Sequence, residues 1–66
     1  MQEITISKKL KEYRYQNSIT QRELASLLGV TTQTISKWEN EKCYPDITLL
    51  PILADIIGCG VDDFFA

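Results

Sequence analysis

Residues 20–40 read TQRELASLLGVTTQTISKWEN, and the fold turns on this stretch. Thr20, followed three residues later by Glu23, is a capping box: the hydroxyl takes an orphan backbone N–H of the first helical turn and the glutamate reaches back to the cap. Ile19 before the cap and Leu24 after it have the spacing of a hydrophobic staple. Leu24, Ala25, Leu27 and Leu28 form an apolar stripe, and Gly29, which takes positive φ without strain, stops the helix. About eight residues of helix do not persist alone in water, so this one has to be packed. A second helix begins at once, with Thr31 as its N-cap and Val30 and Ile35 repeating the staple spacing. Ile35, Trp38 and Glu39 share one of its faces. Thr32, Gln33, Ser36, Lys37 and Asn40 share the other, and every one of them is polar.

Two short helices joined by a tight turn, the second with a wholly polar outer face, form the helix-turn-helix pattern. Ala25 is small where the second helix crosses the first. Ile35 and Trp38 pin the second helix to the core, which leaves Gln33, Lys37 and Asn40 pointing outward at i, i+4 and i+7. An α-helix fits the major groove of DNA, where glutamine bonds adenine through two contacts and lysine bonds guanine. Threonine offers a methyl for thymine and a hydroxyl for phosphate.

Outward from this stretch the chain reads as helix throughout. Ile6, Leu10 and Tyr13 recur at helical spacing and predict a first helix over about Ile6 to Asn17, with Thr5 or Ser7 as cap and Asn17-Ser18 as break. Asn40 to Pro45 reads as a loop. Asp46 caps a fourth helix with apolar positions at Ile47, Leu49, Leu50, Leu53, Ile56 and Ile57. Pro51 falls about one turn into it, removing one helical hydrogen bond and bending or delaying the helix. Gly58 ends it. Gly60 precedes a fifth, short segment from Val61 to Phe65, where Asp62 and Asp63 suit the helix dipole. The expectation is an all-α, five-helix domain over residues 1–66, with the motif at about 21–40.

The 66 residues leave no room for a second core. A chain of this size buries only about 60% of the surface exposed when unfolded, so its stability rests on good local structure. The absence of histidine excludes triads with a His base and His-based metal sites. Two cysteines, Cys43 and Cys59, do not make a structural zinc site, and without a secretion signal they read as reduced thiols. No metal or cofactor is expected. No apolar run approaches the roughly 20 residues of a membrane span. The net charge is −2, which taken whole speaks weakly against a nucleic-acid partner. Its distribution speaks the other way. All seven basic residues precede Cys43, beside five acidic ones (Glu3, Glu12, Glu23, Glu39, Glu41). The remainder holds four aspartates and no basic residue. Such an asymmetry can polarise a small surface into basic and acidic sides, and on charge alone a solvated mixed surface is an equal alternative.

The TQ-x-ELA opening, the ISKWEN close and the Pro-Asp pair soon after together closely resemble the Cro/C1-type (XRE) helix-turn-helix family of bacterial and phage transcriptional regulators. The resemblance covers about residues 6–65. It implies a lambda-repressor-like fold of five helices that binds operator DNA as a dimer. It implies that Gln21 holds a DNA phosphate, that Thr32, Gln33 and Lys37 contact bases, and that Asn40 and Lys42 lie near phosphates. Arg14 and Glu39 match a buried, structural ion pair of relatives. Glu41 stands where the family usually has Gly, so Asn40 or Glu41 is expected to take positive φ at about 1–2 kcal/mol if not Asn or Gly. Gly60 stands where Ser or Thr is common, which weakens the last cap.

The DNA-contacting set expected from this reading is Gln21, Thr31, Thr32, Gln33, Thr34, Ser36, Lys37, Asn40 and Lys42. For Thr31 a capping role is favoured over base reading. Trp38, although beside basic residues, reads as core rather than a base-stacking platform. Lys8, Lys9 and Lys11 read as solvated surface before charge steering. Phe64 and Phe65 cannot both be buried on one helix face, so one enters the core and Phe65 is the expected dimer contact. The expected function is a cytoplasmic, sequence-specific DNA-binding regulator of prokaryotic or phage origin, a repressor before an activator, with a two-fold operator and no small-molecule ligand or membrane partner. The rival is a protein-interaction adaptor or antitoxin-like module with weak or no DNA binding, supported mainly by the pI of about 4.9. An apolar or acidic outer face on residues 32–40 would favour it. An enzyme is a distant third.

Overall fold

The computed structural model describes residues 4–65. Four α-helices follow one another: α1 (Ile6–Asn17), α2 (Gln21–Leu28), α3 (Thr32–Glu39) and α4 (Leu50–Ile57). Two 3-10 segments complete the chain, Ile47–Leu49 before α4 and Val61–Phe65 after it. The described residues contain no β-strand. The count of five helices is therefore corrected to four α-helices. The fifth expected segment forms, over the expected residues, but with the tighter 3-10 winding. Five residues suit a 3-10 piece better than an α-helix, which would gain few internal hydrogen bonds over that length.

The four α-helices and the last 3-10 segment each give one fully buried side chain to the core: Leu10 from α1, Leu24 from α2, Ile35 from α3, Leu53 from α4 and Phe64 from the segment Val61–Phe65. Ala25 of α2 is buried as well. Phe64 enters the core, while Phe65 is half-buried and packs against its edge.

The caps explain where the helices begin. Thr20 Oγ1 accepts from the Glu23 N–H at 3.1 Å, and Glu23 Oε1 accepts from the Thr20 N–H at 3.2 Å. Thr31 Oγ1 accepts from the Thr34 N–H at 3.1 Å. Thr5 occupies the cap position of α1 but its hydroxyl turns elsewhere, donating to the Asp63 carbonyl at 2.8 Å. The Thr5 N–H donates to the Phe64 carbonyl, also at 2.8 Å. Ser7, the other candidate, lies inside α1.

The ends follow one rule. Each α-helix is closed by a residue at positive φ: Ser18 at 54°, Gly29 at 71°, Glu41 at 61° and Gly58 at 86°. The next residue's N–H returns to a carbonyl five positions back, as in Ile19 to Arg14, Val30 to Ala25, Lys42 to Lys37 and Cys59 to Ala54, at 2.9–3.0 Å. This closure satisfies carbonyls that the helix itself leaves unpaired. Glycine stands in the left-handed position twice, as expected at Gly29. At the other two places an L side chain bears the strain, and at the end of α3 that residue is Glu41.

Asp46 accepts from the Thr48 N–H and hydroxyl, both at 3.0 Å. It thereby caps the 3-10 turn instead of an α-helix, and α4 starts only at Leu50 with Pro51 in its first turn. A proline is tolerated there because the N–H it lacks has no helical partner in any case. One apolar assignment is corrected by the same change of winding. Ile47 does not join the buried stripe of the fourth helix but is 78% exposed. At Gly60 the missing hydroxyl cap is replaced from the other side: the Gly60 N–H donates to Asp63 Oδ2 at 2.9 Å. Cys43 and Cys59 carry free thiols, and burial pushes the Cys59 thiol up.

Candidate nucleic-acid interface

The outer face of α3 is held in place by its inner face. Ile35, Trp38 and Glu39 are buried, and the carboxylate of Glu39 is met by the guanidinium of Arg14 from α1. Arg14 Nε donates to Oε2 at 2.7 Å and Nη2 to Oε1 at 2.8 Å. A third donor, Gln21 Nε2 from the start of α2, reaches the same Oε1 at 3.2 Å. Burial pushes the Glu39 carboxyl up. The hydrogen bonds from Arg14 and Gln21, with the charges of Arg14 and Lys11, outweigh that and hold it below the ordinary glutamate value. The bond to Glu39 likewise holds the Arg14 pKa above its usual value. The guanidinium carbon of Arg14 also lies 5.2 Å from the centroid of the Tyr15 ring.

With α3 fixed in this way, Thr32, Gln33 and Lys37 are exposed on its outer side. Their side chains make no hydrogen bond within the protein among those described, so they are available to an external acceptor or donor. Thr31 behaves as a cap: besides its bond to the Thr34 N–H, its hydroxyl pairs with that of Thr34 at 2.9 Å. Thr34 is half-buried and Ser36 half-buried, on the flanks of the face. Asn40 folds back on Ser36, donating from Nδ2 to the Ser36 carbonyl at 2.8 Å and to its hydroxyl at 3.3 Å. Asn40 is thus exposed, but its donor end is engaged within the helix, and gripping a phosphate means breaking those bonds. Lys42 is exposed just beyond the left-handed closure at Glu41.

Gln21 lies at the other end of the interface. At the N-terminus of α2 the N–H groups of Glu23 and Leu24 go to the Thr20 hydroxyl and carbonyl. Those of Gln21 and Arg22 have no helical acceptor, which is the ordinary anion-attracting condition of a helix start. Two contacts around this interface had no sequence signal. Gln21 bonds Glu39 across the seam between α2 and α3, and Ser7, buried in α1, donates its hydroxyl to Glu41 Oε1 at 3.3 Å. Both join residues far apart in sequence, and neither Gln21 nor Glu41 is distinguished by its sequence from plain surface.

A tight two-helix motif, a second helix locked from beneath by an ion pair, and a polar outer face on that helix define a helix-turn-helix domain. A helix-turn-helix family model matches residues 10–64 of the chain. The uncharacterized HTH-type transcriptional regulator MJ0272 of Methanocaldococcus jannaschii is 40% identical over 57 residues, covering 86% of each chain. The HTH-type transcriptional regulator PuuR of Escherichia coli K12 is 37% identical over 59 residues, 89% of this chain and 32% of that protein. The chain therefore spans about a third of the length of PuuR. Among solved structures, the P22 c2 repressor in complex with a synthetic operator superposes with a TM-score of 0.80 at 25% identity, covering 89% of each chain. The chain belongs to the Cro/C1-type helix-turn-helix family. No helix among the described residues is long and apolar enough to cross a membrane.

Proposed function

We propose that this chain is a cytoplasmic, sequence-specific double-stranded DNA-binding regulator, a repressor that acts as a dimer on a two-fold symmetric operator, and not an enzyme. The observation that carries the reading is the outer face of α3, where Thr32, Gln33 and Lys37 stand exposed on a helix fixed from below. That helix enters the major groove, Gln33 and Lys37 read base edges, and Thr32 lies against a base or its methyl. Gln21 and the start of α2 hold one phosphate, and Lys42 neutralises another. Thr31, Thr34, Ser36 and Asn40 border the groove and act chiefly by shaping the helix. The P22 c2 repressor, seen with its operator, supports this docking by its similarity in fold.

One copy offers few base contacts. A pair reads two half-sites about 34–36 Å apart, one turn of DNA. The contact is assigned to the C-terminal region, where Phe65 is half-buried at the edge of the core. Sedimentation of the chain alone and on duplex tests this. A monomer both free and on a full site removes the dimer, whereas a monomer only when free does not, because DNA can bring weak dimers together.

The face at residues 32–40 is neither apolar nor acidic on its exposed side, since its one carboxylate, Glu39, is buried. That removes the feature a pure adaptor would be expected to display. The deciding experiment is in vitro selection of bound duplexes from a random library. Recovery of a two-fold symmetric site is the expected result. Folded protein that recovers nothing would turn the assignment to the adaptor.

A further inference from the structure

We infer that Glu39, beyond its pairing with Arg14, is a positioning residue for the grip on the DNA backbone, acting through the side-chain amide of Gln21. The inference rests on the DNA-binding reading above and concerns how its phosphate contact at α2 is built.

A glutamine amide has a donor end and an acceptor end, and only the donor end suits an anion. Left to itself on an exposed helix start, Gln21 would sample many rotamers and both amide orientations. Glu39 removes that freedom. Its Oε1 accepts from Gln21 Nε2 at 3.2 Å, and an amide turned the other way would set the Gln21 oxygen against a carboxylate oxygen. The carboxylate is itself immobile. It is 3% exposed and clamped through both oxygens by Arg14, with Oε1 shared between Arg14 and Gln21. Three helices are thus tied at one oxygen atom: α1 by Arg14, α2 by Gln21 and α3 by Glu39.

Nε2 carries two hydrogens, and the bond to Glu39 uses one. The second is left on the same, already fixed nitrogen, next to the helix start where the backbone N–H groups of Gln21 and Arg22 lack helical acceptors. A phosphate arriving there finds donors whose ordering took place on folding, so less conformational freedom is lost on binding. The ion pair also offsets most of the repulsion that a bare carboxylate so close to the phosphate would exert. The arrangement couples the recognition helix to the backbone contact: α3 carries Glu39 on its inner face and the base-facing residues on its outer face.

The test is a double-mutant cycle with a mixed-sequence duplex of about 20 base pairs at low salt, since a backbone contact does not require the operator. Affinity is measured for wild type, Gln21→Ala, Glu39→Leu and the double variant, each first shown to be folded by circular dichroism; leucine is chosen because a glutamine would keep an amide oxygen able to accept from Gln21. Glu39→Leu alone is not informative, because removing a negative charge near DNA strengthens binding in general. The cycle cancels that effect. The expected result is that Gln21→Ala weakens binding about fivefold in the wild-type background and less than twofold in the Glu39→Leu background. An equal loss in both backgrounds overturns the inference while leaving the DNA-binding reading intact. A wild-type protein that binds no duplex overturns both. Should Glu39→Leu fail to fold, the side-chain amide protons of Gln21 in the wild-type protein decide by NMR. One proton is expected to keep its shift on addition of duplex and the other to move. Movement of both, or of neither, overturns the inference.

Discussion

The guanidinium of Arg14 and the carboxylate of Glu39 meet through two parallel hydrogen bonds of 2.7 and 2.8 Å, but the two partners are not equally enclosed. Glu39 is 3% exposed and Arg14 13%. Arg14 also has a second, long contact at 3.4 Å to the Ile19 carbonyl, and a tyrosine ring beside it. Removing one partner of a buried pair strands the other charge, at about 3–5 kcal/mol. Arg14→Met leaves the more enclosed charge behind, so it is expected to fall at the upper end of that range and Glu39→Gln at the lower. Thermal melts of the two variants check the order. Melts matching wild type would make the pair a surface ornament.

The acid limb of the stability curve follows from the same carboxylate. Glu39 has a folded-state pKa below its unfolded value, so its contribution is complete above about pH 4.5 and is lost as pH falls through the folded value. Asp46, held down by its bonds from Thr48, acts in the same direction. Urea midpoints measured from pH 7 downwards should be flat until about pH 5 and then fall. In Glu39→Gln the fall should be shallower. An identical slope would show that other groups govern acid unfolding.

The left-handed closures give opposite expectations for two similar substitutions. Ser18 makes no side-chain hydrogen bond among those described, so Ser18→Gly relieves strain and should stabilise by about 0.5–1 kcal/mol. Glu41→Gly relieves the same strain but strands the buried Ser7 hydroxyl, which loses its acceptor at Glu41 Oε1. Its net effect should be close to zero, and Ser7→Ala introduced with it should restore the gain. Denaturant titration of the three variants distinguishes the cases. A full gain from Glu41→Gly alone would mean that the Ser7 contact contributes nothing.

On DNA, Gln33→Ala or Lys37→Ala should lose about 1–3 kcal/mol on the preferred site and relax discrimination at one or two base pairs. Lys42→Ala should weaken all duplexes alike and lower the salt slope by about one per copy. Affinity against salt, for the selected site and for scrambled duplex, separates the two behaviours. A change of sequence preference with Lys42→Ala, and none with Gln33→Ala and Lys37→Ala, would mean that α3 is not the helix in the groove.

What could be read from the sequence was what is local or strongly typed. The box at Thr20 and Glu23 closes over four residues, and the turn at Gly29 needs one residue type. The inward placement of Ile35, Trp38 and Glu39 follows from helical spacing alone, and Arg14 as partner came from the family resemblance. The misses depend on winding or on a seam. Ile47 is apolar at an α-helical spacing, yet Pro51 delays α4 and the 3-10 turn before it points Ile47 outward. Gln21 has the composition of an exposed helix start, and nothing within its own helix indicates that Glu39, 18 residues on, will hold its amide. The sequence leaves the positive-φ residue after α3 open between Asn40 and Glu41. It fell on Glu41 because Asn40 continues the helical turn and caps it through Ser36.

The backbone bond from Thr5 to Phe64, reinforced by the Thr5 hydroxyl on Asp63, joins positions 58 and 59 residues apart and so brings the two extremities of the described chain to one spot. A fold with its extremities side by side has the geometry of a cassette. Joined through Ile4 and Phe65, the described unit can be spliced into a surface loop of an unrelated host without stretching either junction, and a few glycines can bridge those two positions while new ends are opened in the exposed loop between Lys42 and Tyr44. A permuted chain of that kind keeps α2, its turn and α3 uninterrupted. Its folding, followed by circular dichroism, would separate the order in which a ribosome delivers the helices from the shape they reach.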